Sequence, residues 1–315
     1  MQTSSQPKPS ATSEAGPVIA RSPATGVAAA LVTVIIWAGW IIATRVARES
    51  AISPITIGLL RYGPPAILLA PVWLRSGLLP RSCPWWVIAV MVGGSGAPFL
   101  LLAATAMRIA PAAEVGVLLP GTMPLWAAIL GWVLGTSRFS TGQRLGYALI
   151  TAGIILMMAI GLSSTSLAPA DLAGWQGQAL LLVAAACWAA YSHAFKRSGL
   201  TPLQGAAIVA AWSFIIHLLL GACFGFGLAQ MSLHVLTTQL AVQGILSGLI
   251  AIFSYGTAVT TLGAARAASF SALAPVLAAF GGVVLLGEMP SPANLAAIAL
   301  VTVGVALASG LKLWR

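Results

Sequence analysis

Two short aromatic runs recur in this chain at one helical spacing. Trp37, Trp40 and Thr44 lie at i, i+3 and i+7, as do Trp188, Tyr191 and Phe195, so each set shares one helix face. Two such faces can line a cavity for an apolar or aromatic solute, or can pack and anchor helices at a membrane interface. Tyr255, which opens a Tyr-Gly-Thr-Ala segment, is a candidate of the same kind. Arg61 stands inside an apolar run, six positions after Ile55 and so about 9 Å along its helix. An arginine at that depth costs on the order of a few kcal/mol unless it finds partners. It either binds a carboxylate or phosphate of a ligand, or serves the carbonyls freed by Pro64 and Pro65. Glu114, three residues after Pro111, is placed to cap a helix start, or to pair with Arg61 and carry a proton. Pro124 and Pro275 loosen two further apolar runs and are the expected hinges.

Other chemistry lacks its residues. A phosphate-binding GxxxxGK[ST] loop is absent: Gly93-Gly94-Ser95-Gly96 has no lysine and lies in an apolar run. The chain has no HExxH, no GxSxG and no paired intramembrane carboxylates. Cys83, Cys187 and Cys223 follow no metal or redox spacing, and the three histidines share none with the acids. No metal or cofactor is expected.

The elements that must position these residues follow from composition. Of 315 residues 59% are apolar and 6% are charged, and the mean hydropathy is +0.98. Twenty charged side chains cannot wet a soluble surface of that size, which excludes a soluble enzyme and a disordered chain. Apolar runs fall near 25–44, 55–74, 85–106, 112–134, 145–163, 176–195, 204–228, 239–262, 267–286 and 293–311. They are continuous rather than alternating, so they predict an all-α integral membrane protein of ten transmembrane helices. Residues 1–24, rich in Ser, Pro and Thr, read as a disordered cytoplasmic tail rather than a signal peptide. With the N-terminus inside, eleven of fifteen Lys and Arg fall in inside segments and three, Arg45, Arg48 and Arg108, in outside loops. That asymmetry predicts both termini cytoplasmic and accounts for the +10 charge without nucleic acid.

The halves also repeat at an offset of 151 residues. Trp37-Ala38-Gly39-Trp40 matches Trp188-Ala189-Ala190-Tyr191, Arg45 falls on Lys196, and Pro124 falls on Pro275. Leu134-Gly135 answers Leu286-Gly287 one residue out of step. The repeats span 25–163 and 174–311. Five helices in each is an odd number, so the second copy enters the membrane from the opposite side. Such inverted repeats are a secondary-transporter architecture, because exchanging the conformations of the halves moves the opening from one side to the other.

Several of these residues also resemble the drug/metabolite transporter superfamily in its EamA-type branch. In the first half they are Trp37-Ala38, Leu60-Arg61-Tyr62, Ala104-Thr105-Ala106, Pro124 and Leu134-Gly135. In the second they are Cys187-Trp188-Ala189-Ala190-Tyr191 and Ala274-Pro275-Val276 through Leu286-Gly287-Glu288. The resemblance implies a carrier of small solutes with a cavity between the halves, and it favours export. Glu288 matches the family's acid after Leu-Gly, whereas the first repeat has Thr136 there. The expected protein is an inner-membrane secondary transporter, not an enzyme, moving an amino acid or a related metabolite or drug by alternating access. Its partners would be the solute, the bilayer and a proton as coupling ion, while its oligomeric state is open. The alternatives are a membrane enzyme acting on lipid-linked substrates, for which five scattered acids are few, and a passive channel.

Overall fold

A computed structural model describes residues 22–49, 52–135, 138–163, 173–228, 231–262, 267 and 270–310. The N-terminal tail up to residue 21, Thr136, Arg266, Lys312 and Arg315 lie outside the described residues. Every regular element among the described residues is helical. The first half contains α1 (Pro23–Glu49), α2 (Pro54–Leu68), α3 (Ala70–Ser76), α4 (Trp85–Ser95), α5 (Ala97–Met107), α6 (Ala112–Leu118), α7 (Met123–Val133) and α8 (Thr141–Ser163). The second contains α9 (Ala173–Arg197), α10 (Pro202–Phe224), α11 (Leu233–Gln239), a π-helical segment (Leu240–Ile250), α12 (Ala251–Leu262), α13 (Leu273–Leu286) and α14 (Pro292–Ala308).

Each apolar run of the sequence falls on a helix or an interrupted helix, but not all are equally long. Among the described residues seven stretches are long and apolar enough to cross a bilayer, and the pair α2–α3, bent by 71°, would be an eighth. The last two, Phe270–Leu286 and Pro292–Ala308, are shorter apolar helices, so length and composition alone support seven or eight crossings rather than ten. The protein is thus a multi-pass helical membrane protein.

Interruptions follow local chemistry. Ser-Pro or Thr-Pro opens α2, α10 and α14: the hydroxyls of Ser53, Thr201 and Ser291 accept the N–H of Thr56, Gln204 and Asn294. The proline takes a first-turn position, where an N–H has no helical partner anyway. Pro98 restarts the chain as α5 after Gly96, and the freed Ala97 N–H is capped by Ser213 Oγ of α10 at 3.1 Å. Pro124 likewise sits in the first turn of α7, after a break at Leu119–Thr122. Pro275 is the third residue of α13, behind a 3₁₀ turn at Phe270–Ala272. Both prolines therefore restart helices rather than kink their middles. Gly221 and Gly225, which form a GxxxG pair in the sequence, stand at the end of α10. Gly225 has φ +93° and ends α10, and the Phe226 ring folds back over Gly221.

Packing couples the halves reciprocally. α1 lies against α12 and α13 of the second half, and α9 lies against α4, α5 and α7 of the first. α2 pairs with α10, and α8 with α14. The close crossings need bare backbone. A Cβ at Gly304 would lie 2.8 Å from the Gly146 carbonyl, and one at Gly58 would overlap the His217 ring. The main core gathers Ile41, Phe99, Leu100, Met107, Leu118 and Leu181, all essentially inaccessible.

Candidate functional site

The two aromatic faces meet through a residue that their spacing did not single out. Trp40 stacks on Phe99 of α5, with centroids 6.4 Å apart and planes at 26°. Phe99 meets Trp188 of α9 at 5.3 Å, Trp188 meets Tyr191 at 5.5 Å, and Tyr191 stacks on Phe195 at 6.0 Å. The result is one line of five rings running from α1 to α9 across the two halves. Phe99 is placed by the helix restart at Pro98, where the break lets α5 approach both first helices. A lone Phe in an apolar run carries no periodic signal of such a role. Trp37 turns away from this line and contacts Tyr255 of α12, with centroids at 5.7 Å. Trp37 and Tyr255 therefore form a separate pair.

Arg61 joins the line at Trp40. Its guanidinium carbon lies 4.8 Å from the Trp40 ring centroid, a cation–π contact. Its Nη1 is buried without a hydrogen-bond partner, and so is Trp40 Nε1. Neighbouring Tyr62 gives its hydroxyl to the Ser95 carbonyl at 2.8 Å and packs on His217. A buried guanidinium nitrogen without a partner, beside an indole N–H in the same state, suits a ligand bearing an anionic or acceptor group.

The expected pairing of Arg61 with Glu114 does not form. Glu114 Oε2 instead accepts Gln178 Nε2 of α9 at 2.9 Å, and Gln178 also reaches the Met157 carbonyl. That arrangement leaves Gln178 Oε1 buried without a donor. The one ion pair among the described residues joins Arg45 and Glu288. Arg45, assigned by its charge to an outside loop, belongs to the last turns of α1 and is 9% exposed. Its Nε donates to Glu288 Oε1 at 3.0 Å and its Nη1 to the Met107 carbonyl at 2.8 Å. Glu288 Oε2 accepts the Ala112 N–H at 2.7 Å. One salt bridge thus ties together the ends of α1, α5, α6 and α13. The sequence signal available was the acid after Leu-Gly. Gly287, at φ +66°, ends α13 in the left-handed conformation and turns the chain so that Glu288 faces α6.

Two further features lie apart. An apolar groove of about 530 Å³ runs between α7, α8 and α9, lined by Trp126, Met158, Leu182, Val183 and Cys187 among others, and its lining includes neither Arg61, Glu114 nor any ring of the aromatic line. Among the described residues no three His, Cys, Asp or Glu side chains gather as metal ligands.

A helical membrane protein of two reciprocally packed halves, with a ring-lined junction between them, defines the class. The EamA-like transporter family matches the chain twice, over residues 24–159 and 175–310. The chain therefore belongs to the EamA-like transporter family, within the drug/metabolite transporter superfamily. The two matches begin 151 residues apart, the offset at which the sequence repeats. No curated protein matches the chain. Among solved structures it is similar to one titled only "Crystal structure of protein", with TM-score 0.60 and 21% identity, covering 91% of this chain and 96% of that one. At that identity the likeness speaks for the fold alone.

Proposed function

We propose that this protein is a ten-span secondary carrier of the inner membrane, with both termini cytoplasmic and two inverted five-helix repeats that exchange conformations. Phe270–Leu286 and Pro292–Ala308 would be its ninth and tenth crossings. Their packing on α1 and α8, reciprocal to that of α7 on α9, supports this assignment. The solute would have an aromatic or apolar body and an anionic group, as an amino acid or a related metabolite or drug does, and would move outward. One observation carries the reading: Arg61, buried and unpartnered at Nη1, lies against the Trp40 end of a ring line that joins both halves.

In this mechanism the rings supply van der Waals and stacking contact, and Arg61 anchors the anion. Trp37 and Tyr255 close one flank, while Pro124 and Pro275 mark the helix starts about which the halves rearrange. Glu114 would carry the coupling proton. Its partner Gln178 has an acceptor left over, Oε1, that a protonated carboxyl can meet. The deciding experiment is counterflow in proteoliposomes with a panel of amino acids, aromatic carboxylates, amines and nucleosides. A carrier saturates and exchanges, whereas a channel does neither. Arg61→Gln is expected to cut uptake of anionic solutes at least about tenfold, as for loss of a charge-assisted hydrogen bond, with Arg61→Lys in between. Unchanged saturation in Arg61→Gln would remove Arg61 from the site.

A further inference from the structure

A second polar cluster lies on α1 one helical turn beyond Trp40, the residue that Arg61 contacts. There Gln243, from the π-helical segment and fully buried, donates Nε2 to Thr44 Oγ1 at 3.0 Å and to Gln239 Oε1 at 3.2 Å. Its amide orientation is set by a directed chain. Gln239 Nε2 donates to the Ala43 carbonyl at 2.8 Å, so its oxygen must face Gln243. Thr44 donates its own proton to the Trp40 carbonyl at 2.8 Å and can only accept. Gln243 Oε1 is therefore the end that points away, and it is buried with no donor. Ser247 Oγ, one turn on, is also buried and unpartnered.

The backbone across the contact adds oxygens of the same kind. The helical partners of the Leu60 and Arg61 carbonyls would be the nitrogens of Pro64 and Pro65, which carry no hydrogen. Gly244 and Gly248 let the segment close on them. A Cβ would lie 2.6 Å from the Leu60 oxygen at Gly244 and 2.8 Å from the Arg61 oxygen at Gly248. A π-helix frequently marks a functional site, and here it packs on α1 and α2 and carries Gln243, which reaches α1 through Thr44. Arg61 Nη1 and Gln243 Oε1 are each left without a partner, so that nitrogen does not serve that oxygen. Thr44, which Gln243 contacts, follows Trp40, which Arg61 contacts, by four residues, one turn of α1.

We infer that Gln243 and Ser247, on the segment whose glycines close on the carbonyls of Leu60 and Arg61, form an acceptor subsite for a positively charged group. Neutral carbonyl, amide and hydroxyl oxygens suit two such occupants: the ammonium of the solute held by Arg61, or a sodium ion. The inference rests on the carrier reading above. It is tested with purified full-length protein, following tryptophan fluorescence on addition of 3-phenylpropanoate or phenylalanine, which differ by one ammonium, in sodium and in sodium-free buffer. If the ammonium occupies the subsite, phenylalanine binds about tenfold tighter without sodium. Gln243→Leu abolishes that preference. If sodium occupies it, both probes bind about tenfold tighter with sodium, and Gln243→Leu abolishes the sodium effect. Retained binding of 3-phenylpropanoate shows that the variants are folded. The subsite is overturned if wild type shows neither preference, or if either preference survives in Gln243→Leu and Ser247→Ala combined. Arg61→Gln tests the first reading separately: it weakens both probes alike and leaves the Gln243-dependent ratio in place.

Discussion

At the scale of single residues, charge is so scarce that each charged group must be accounted for. Arg45 and Glu288 satisfy one another and two helix ends besides, in an environment where a lone charge is costly. Arg45→Met would strand Glu288 against the Ala112 N–H. We expect a loss of about 2–4 kcal/mol, toward the lower end of a buried pair because the Glu288 side chain is 21% exposed. The check is thermal unfolding in detergent of Arg45→Met, Glu288→Leu and the double variant. A double variant as unstable as the sum of the two singles would show that the pair is not coupled. Arg61 is the opposite case, a cation the fold leaves unsatisfied at Nη1, which is why it carries the functional proposal and Arg45 does not. The depth of Arg61 was legible in the sequence from its place in an apolar run. That of Arg45 was not, because the end of a helix and the start of a loop look alike where the flanking residues are small and apolar.

At the scale of helices, the deciding property is how closely two backbones approach. Gly58 of α2 faces His217 of α10 with no room for a methyl, and His217 is held by its Nδ1 contact with the Ser213 carbonyl at 2.7 Å. Gly58→Ala should therefore cost about 1–3 kcal/mol by overpacking. Combining it with His217→Ser should restore part of that loss. If Gly58→Ala alone unfolds at the wild-type temperature, the α2–α10 contact is looser than described. The prolines show what can be read from a sequence at this scale. Ser53-Pro54, Thr201-Pro202 and Ser291-Pro292 announce helix starts by cap chemistry alone. The sharp bend between α2 and α3 and the π-helical Leu240–Ile250 have no such local signature, because both are set by what the neighbouring helices require.

At the scale of the whole molecule, the two halves resemble one another in contact pattern but not in charge. The α1–α13 contact is closed by Arg45 and Glu288, whereas the position matching Arg45 in the second half is Lys196, and in sequence Thr136 stands where an acid would match Glu288. An orientation with both termini inside puts the Arg45 end outside. In a chain freed of native cysteines, Arg108→Cys should react with a membrane-impermeant thiol reagent in intact cells, and Ser82→Cys only after permeabilisation. The reverse labelling would invert the proposed topology. By itself the sequence determined the class, the helical architecture and the repeat, because hydropathy, cap residues and a 151-residue offset are properties of local chain chemistry. It also determined that Trp188 and Tyr191 share a helix face. Only the tertiary structure decided that Phe99 bridges Trp40 and Trp188 and that Glu114 meets Gln178 rather than Arg61. Gln243 and Ser247, too, stand out only once the fold leaves them without partners. Whether a buried polar atom has a partner depends on groups up to 243 positions away, as Arg45 and Glu288 are. That information resides in the packing of helices, which no local pattern encodes.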